Sequence, residues 1–102
     1  MEQRRTAGFE WDEGNREKCR KHGVSTAEIE QVFEQPVMIL PDHGHSQVEE
    51  RLKAIGKTAQ GRHVFLVFTV RQRGGRTFIR PISARYMHRK EIAAYEKENP
   101  GL

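Results

Sequence analysis

The eight residues His63 to Val70, HVFLVFTV, constrain this chain more than any other stretch. Apart from His63 and Thr69 they are apolar, and most are β-branched or aromatic, the types that fill a pleated, packed surface. The run is far too short to cross a membrane as a helix. Its length and its flanks select a strand. Gln60-Gly61 precedes it and Gly74-Gly75 follows it, and both pairs are tight-turn signals. The expected element is therefore a central strand, covered on both faces, with a hairpin partner on each side.

The partners are legible nearby. Arg51 to Thr58 alternates, with Leu52, Ala54 and Gly56 opposing Lys53, Ile55 and Lys57. After the second turn, Thr77, Phe78 and Ile79 favour extended backbone. Pro81 has no amide hydrogen and belongs at a strand edge, a strand end or a bulge. Ser83 then resembles a helix N-cap, with a helix to about Glu98 closed by Pro100-Gly101. Upstream, Phe9 to Trp11 suits a short edge strand with Phe9 and Trp11 on one side. Asp12 caps a helix expected from Glu13 to His22, which Gly14 weakens and Gly23 ends. Ser25-Thr26-Ala27-Glu28 is a capping box for a second helix, closed by Pro36. Val37 to Leu40 reads as a short strand, and 41–46 as a turn. Residues 1–8 are polar and expected to be loose. The whole, 1–102, is expected to form one α+β domain: a twisted antiparallel sheet with N-terminal helices and a C-terminal helix.

Composition narrows the function classes. Eighteen Lys and Arg against fourteen Asp and Glu give a formal charge of +4 and a pI near 9.6, a balance that favours a polyanionic partner. The N-terminus lacks the apolar core of an export signal, and no apolar run approaches membrane-spanning length, so a cytoplasmic protein is expected. Cys19 is the single cysteine. It rules out an intrachain disulfide and a thiolate-rich metal site, and it reads as a packing residue. There is no glycine-rich phosphate loop of the nucleotide-binding types. His43 and His45 flank Gly44, but spacing supplies no third ligand, so no metal is expected.

Two clusters carry chemistry. On a helix begun at Ser83, Arg85, His88, Arg89, Ile92 and Tyr95 would share one side. The arginines would then lie at a helix start, where unpaired N–H groups favour an anion. Two readings stand for them: a phosphate site, or pairing of Arg85 or Arg89 with a glutamate of the same chain. The second cluster, His45 to Arg51, supplies proton carriers in His45 and Glu50 and a cation in Arg51; a salt-bridged loop is the other reading. His22, beside Lys21 at a helix C-terminus, is a further proton carrier.

The ordered set of short motifs resembles a known family. Phe9-Glu10-Trp11-Asp12, Arg20 to Ser25, and Val32-Phe33 with Pro36 resemble the BrnT toxins. So do Asp42, His45-Ser46, Glu49-Glu50-Arg51, Ala54-Ile55-Gly56, Gly61-Arg62, Ile82 to Arg85, Arg89, Glu91 and Tyr95. The resemblance implies the toxin of a type II toxin–antitoxin pair with a RelE-like fold. It implies a ribonuclease that works without metal or other cofactor, through attack of a ribose 2′-hydroxyl on its neighbouring phosphate. It also implies a BrnA-like ribbon-helix-helix antitoxin, with two toxins on one antitoxin dimer and promoter DNA contacted only through that antitoxin.

On this reading the catalytic candidates are His22, His45, Glu50, Arg51, Arg85 and Arg89, with Arg51, Arg85 and Arg89 converging on one phosphate. Lys21, Lys53, Arg80, His88 and Tyr95 are the candidates for RNA contacts. The competing expectations are a non-catalytic basic module that binds nucleic acid or protein, and a toxin acting mainly within an autoregulating complex.

Overall fold

The structure, a computed structural model, describes residues 6–42 and 49–100. The run that begins at His63 continues to Arg73 and forms the middle strand of a five-stranded sheet. In chain order the elements are β1 (Gly8–Phe9), α1 (Glu13–Arg20), α2 (Thr26–Val32), β2 (Met38–Pro41), β3 (Leu52–Lys57), β4 (His63–Arg73), β5 (Arg76–Tyr86) and α3 (Arg89–Glu98). The strands lie in the order β1-β5-β4-β3-β2. Pairing is antiparallel throughout β2 to β5. β1 instead runs parallel to β5, with Gly8 beside Phe78 and Phe9 beside Ile79, so the sheet is mixed rather than wholly antiparallel. The crossover that makes this possible is the long excursion through α1, α2 and three strands before the chain returns as β5.

The local signals for the N-terminal helices are realised. Asp12 and Ser25 cap α1 and α2 through capping boxes, with Asn15 and Glu28 answering from the third position. α1 ends at Arg20, two residues short of the expected His22, and Gly23 turns the chain at φ +88°. The hairpin between β4 and β5 puts Gly74 and Gly75 at φ +58° and +78°, the positive pair that a tight two-residue turn requires.

Val64, Leu66 and Phe68 bury one face of β4 against α1 and α2, in a core that includes Cys19, Ile29, Val32 and Ala54. Phe33 bridges Phe9 and Phe68 through tilted and edge-on ring contacts. At Gly56 an added Cβ would meet Val32 at 2.9 Å, so glycine lets α2 approach β3. Cys19 is fully buried, and burial pushes its thiol up to about 11; it is a packing residue. The other face of β4 departs from the expected double cover. His63, Phe65 and Val67 are only partly buried, and α3 packs on that side at one end, with Tyr95 edge-on to His63.

The largest departure lies in β5. The helix expected from Ser83 begins instead at Arg89, because Ser83 to Tyr86 extend the ladder with Val64 to Val67. Local sequence explains the choice of helix start. Ser83 has Tyr86 three residues on, whereas His88 has Glu91, whose Oε1 accepts the His88 N–H at 2.8 Å. Only the second is a capping partner. The pairing of buried Ala84 with buried Leu66 then outweighs the hydroxyl of Ser83 as a cap.

Candidate nucleic-acid interface

A bulge in β5 determines which arginines share a face. Pro81 pairs with Phe68 and Ser83 with Val67, leaving Ile82 as an extra residue. Below it, Ile79 and Pro81 point into the core; above it, Ala84 does. Side chains alternate along a regular strand, so Arg80 and Arg85, five residues apart, would lie on opposite faces. The extra residue shifts the alternation by one. Arg80 stands opposite Thr69 and Arg85 opposite Phe65, both on the face away from the helical core.

On that face Lys18, Arg51, Arg71 and Arg80 line a pocket of about 410 Å³, with Glu49, Gly14, Asn15, Pro81 and Ile82 completing its wall. α1 reaches it along the stretch of β5 left uncovered where β1 ends. There the buried Asn15 side chain donates to the carbonyls of Glu10 (3.0 Å) and Pro81 (2.8 Å). The arginines are braced by carboxylates. Arg71 lies 3.2 Å from Glu49, and Arg80 donates to Asp12 at 2.9 Å. The Asn15 backbone N–H and the Arg80 guanidinium hold the Asp12 carboxyl below its usual range. Glu10 sits among Arg71, Arg73 and Arg80.

A second, smaller pocket of about 70 Å³ lies further along β5, lined by His22, Phe65, Ser83, Ala84 and Arg85. Arg85 rests over the Phe65 ring, its Cζ 4.7 Å from the centroid. It forms a fork with Glu91, at 2.9 and 2.8 Å. The expected anion at the start of the last helix is thus a side chain of the protein itself. The Arg85 fork and the His88 N–H draw the Glu91 carboxyl down to about 2. A carboxyl with a lower pKa folded than unfolded stabilises fully above the unfolded value. That contribution is lost as pH falls through the folded one. Acid between about pH 4.5 and 2 is therefore expected to loosen α3. Glu91→Gln should remove that part of the acid dependence, read by near-UV circular dichroism across the window.

The expected convergence of Arg51, Arg85 and Arg89 is corrected. Arg51 lines the larger pocket and Arg85 the smaller one. Arg89 opens α3, exposed and lining neither, as does His88 before it. Arg85, His88 and Arg89 share no helical face, because Arg85 is in a strand. His22 does stand beside Arg85. Glu50 is exposed and contributes its carbonyl, which accepts from the Thr69 hydroxyl at 2.7 Å. Its neighbour Glu49 is the carboxylate in the pocket. Lys21 is exposed at the end of α1 beside Lys18, and Lys53 lies on the open face of β3 opposite Val67. Arg80 is in the pocket. Tyr95 is 7% exposed, its ring committed to His63, so it anchors α3 and offers no stacking surface. His45 lies outside the described residues.

Lys18, Glu49 and Arg71 were not among the expected site residues. Continuing the alternation of β4 beyond Val70 finds Arg71, on the same face as Val67 and Thr69. Glu49 lies within the expected His45–Arg51 cluster, beside Glu50, whereas Lys18 had no comparable signal, since the fold alone brings α1 and the segment before β3 together. No three His, Cys, Asp or Glu side chains cluster as metal ligands among the described residues, and no helix there is long and apolar enough to cross a membrane.

A small α+β domain with an arginine-lined pocket on a sheet face that the helices leave open has the chemistry to hold a phosphate-bearing ligand. Residues 11–91 match the family described as "Ribonuclease toxin, BrnT, of type II toxin-antitoxin system", and the chain belongs to it. No curated protein matches the chain. Membership makes this a ribonuclease toxin of a type II pair, with an antitoxin as its partner.

Proposed function

We propose that the protein is a cytoplasmic endoribonuclease of RelE-like fold that cleaves RNA without a metal ion, and so inhibits translation and growth. The observation that carries the site assignment is the pocket in which Lys18, Arg51, Arg71 and Arg80 meet Glu49. In this reading the scissile phosphate sits among the arginines. A neighbouring 2′-hydroxyl attacks the phosphorus, a carboxylate takes the hydroxyl proton, and the leaving 5′-oxygen is protonated in turn. Glu49 is in place for the first transfer. Arg71 and Arg80 stabilise the charge that grows on the phosphoryl oxygens, an effect strongest where donors are fixed before the reaction. His22 and Arg85 take the RNA onward along β5, and Lys53 borders the same face. A BrnA-like ribbon-helix-helix antitoxin neutralises the toxin, two toxins to one antitoxin dimer, and makes the promoter contacts.

The internal ion pairs of Arg71, Arg80 and Arg85 favour a second reading, a basic module that binds RNA without cutting it. Inducible expression with and without the antitoxin separates the two. Growth arrest with fragmented RNA, relieved by the antitoxin, is the expected result. Intact RNA at full growth would reject the toxin reading.

A further inference from the structure

Each pocket arginine on the central strands is held between two carboxylates, and one of those carboxylates is shared. Arg71 has Glu49 on one side and Glu10 on the other; Arg80 has Asp12 and Glu10. Glu10 divides its oxygens unequally. Oε2 accepts both Nε and Nη2 of Arg73, at 3.0 and 2.7 Å. Oε1 is buried without a hydrogen-bond partner among the described residues. It lies 4.0 Å from Arg71 Nη1 and 3.9 Å from Arg80 Nη1. Those distances are too long for hydrogen bonds. The attraction is coulombic and leaves the Nη1 donors of Arg71 and Arg80 uncommitted to Glu10, while each Nη2 is engaged by its outer carboxylate. Glu10 is itself fixed, since its N–H bonds the Ile79 carbonyl at 2.8 Å and its carbonyl accepts from Asn15.

We infer that Glu10 is a positioning residue for the cleavage pocket: it sets the spacing of Arg71 and Arg80 so that both meet one phosphate. The inference rests on the reading of that pocket as the RNA-cleaving site. Without a central anion, two like-charged guanidiniums on adjacent strands repel, and each swings toward its outer partner, Glu49 or Asp12. Phosphate is then met by donors that must first reorganise, and displacements on the scale of an ångström are enough to slow a reaction by about 10²-fold.

Glu10→Gln separates this role from its rivals, because it removes the charge and keeps the shape. Electrostatics alone predicts that it tightens RNA binding, since a negative charge leaves the neighbourhood of a polyanion. Positioning predicts a fall in kcat in spite of that. With purified protein, Glu10→Gln is expected to lower kcat by about 10- to 10²-fold. It should bind an uncleavable 2′-deoxy-substituted oligonucleotide at least as tightly as the parent. Glu10→Asp, which restores the charge, should recover part of the rate. Unchanged kcat per folded molecule, with or without a lower Tm, would overturn the inference. A second measurement does not depend on turnover. In ¹⁵N relaxation at arginine Nε, the signals of Arg71 and Arg80 should gain fast motion in Glu10→Gln. Unaltered order parameters at both would also overturn it. A parent protein that binds RNA but never cuts it would defeat the proposed function, and the relaxation arm would still decide whether Glu10 positions the pair.

Discussion

Arg71→Ala is expected to lower the cleavage rate by about 10²–10³, the cost of removing one preorganised donor from a developing charge. Arg71 combines three properties that make it the most sensitive of the pocket arginines. It stands on the open face of the central strand, where its backbone is paired with Phe78 of β5. It is braced by Glu49 and Glu10. Its Nε is buried with no hydrogen-bond partner among the described residues, so the guanidinium is held out of water on its inner side. The loss should fall mainly on kcat if the contact strengthens in the transition state, and on KM if ground state and transition state are held alike. Arg71→Lys keeps the charge but loses the planar fork, and should restore the rate only in part. Its ion pairs are partly exposed, so little stability depends on them. Full activity in Arg71→Ala would remove this residue from the site.

Leu66→Ala should have the largest effect on stability. Leu66 is fully buried in the middle strand, between Ala54 on β3 and Ala84 on β5. Small neighbours on both flanks leave it to fill the space beneath α1 and α2, and truncation opens a cavity that the ladder cannot close. A buried Leu→Ala change costs about 2–5 kcal/mol, a large share of the 5–15 kcal/mol typical of a whole domain. In a chain of this size that is a fall in Tm of about 10 °C or more. The loss should appear as a shift of the denaturation midpoint with an unchanged slope. A shift below about 1 kcal/mol would mean that the core relaxes around the site, against the packing described.

Sequence made the central strand, its hairpin turns and the two capped helices legible, because each rests on local chemistry: a β-rich apolar run, glycine-marked turns, the N-cap Asp12 and the four-residue capping box at Ser25. It failed where two long-range effects decide. Ser83 has the local chemistry of a cap, but the pairing of Ala84 with Leu66 keeps the chain extended. β1 offers too few residues for its parallel pairing to be read. The site divided in the same way. Arg51 and Arg80 were recognisable as cations and do share a pocket. The bulge at Ile82, which brings Arg80 and Arg85 to one face, leaves no periodic trace, since the proline beside it is equally suited to a strand end. Glu49 rather than Glu50 lines the pocket, a difference of one residue in the segment before β3, where the Thr69 hydroxyl holds the Glu50 carbonyl.

The central claim is that this open face cuts RNA by attack of a 2′-hydroxyl. The direct measurement uses purified protein, a 5′-labelled RNA, and the same RNA carrying a single 2′-deoxy substitution at the mapped cleavage position, all in excess chelator. The account predicts a product ending in a 2′,3′-cyclic phosphate from the first RNA and protection of that one position in the second. Cleavage that survives the 2′-deoxy substitution, or that vanishes with chelator and returns with a divalent cation, would contradict it.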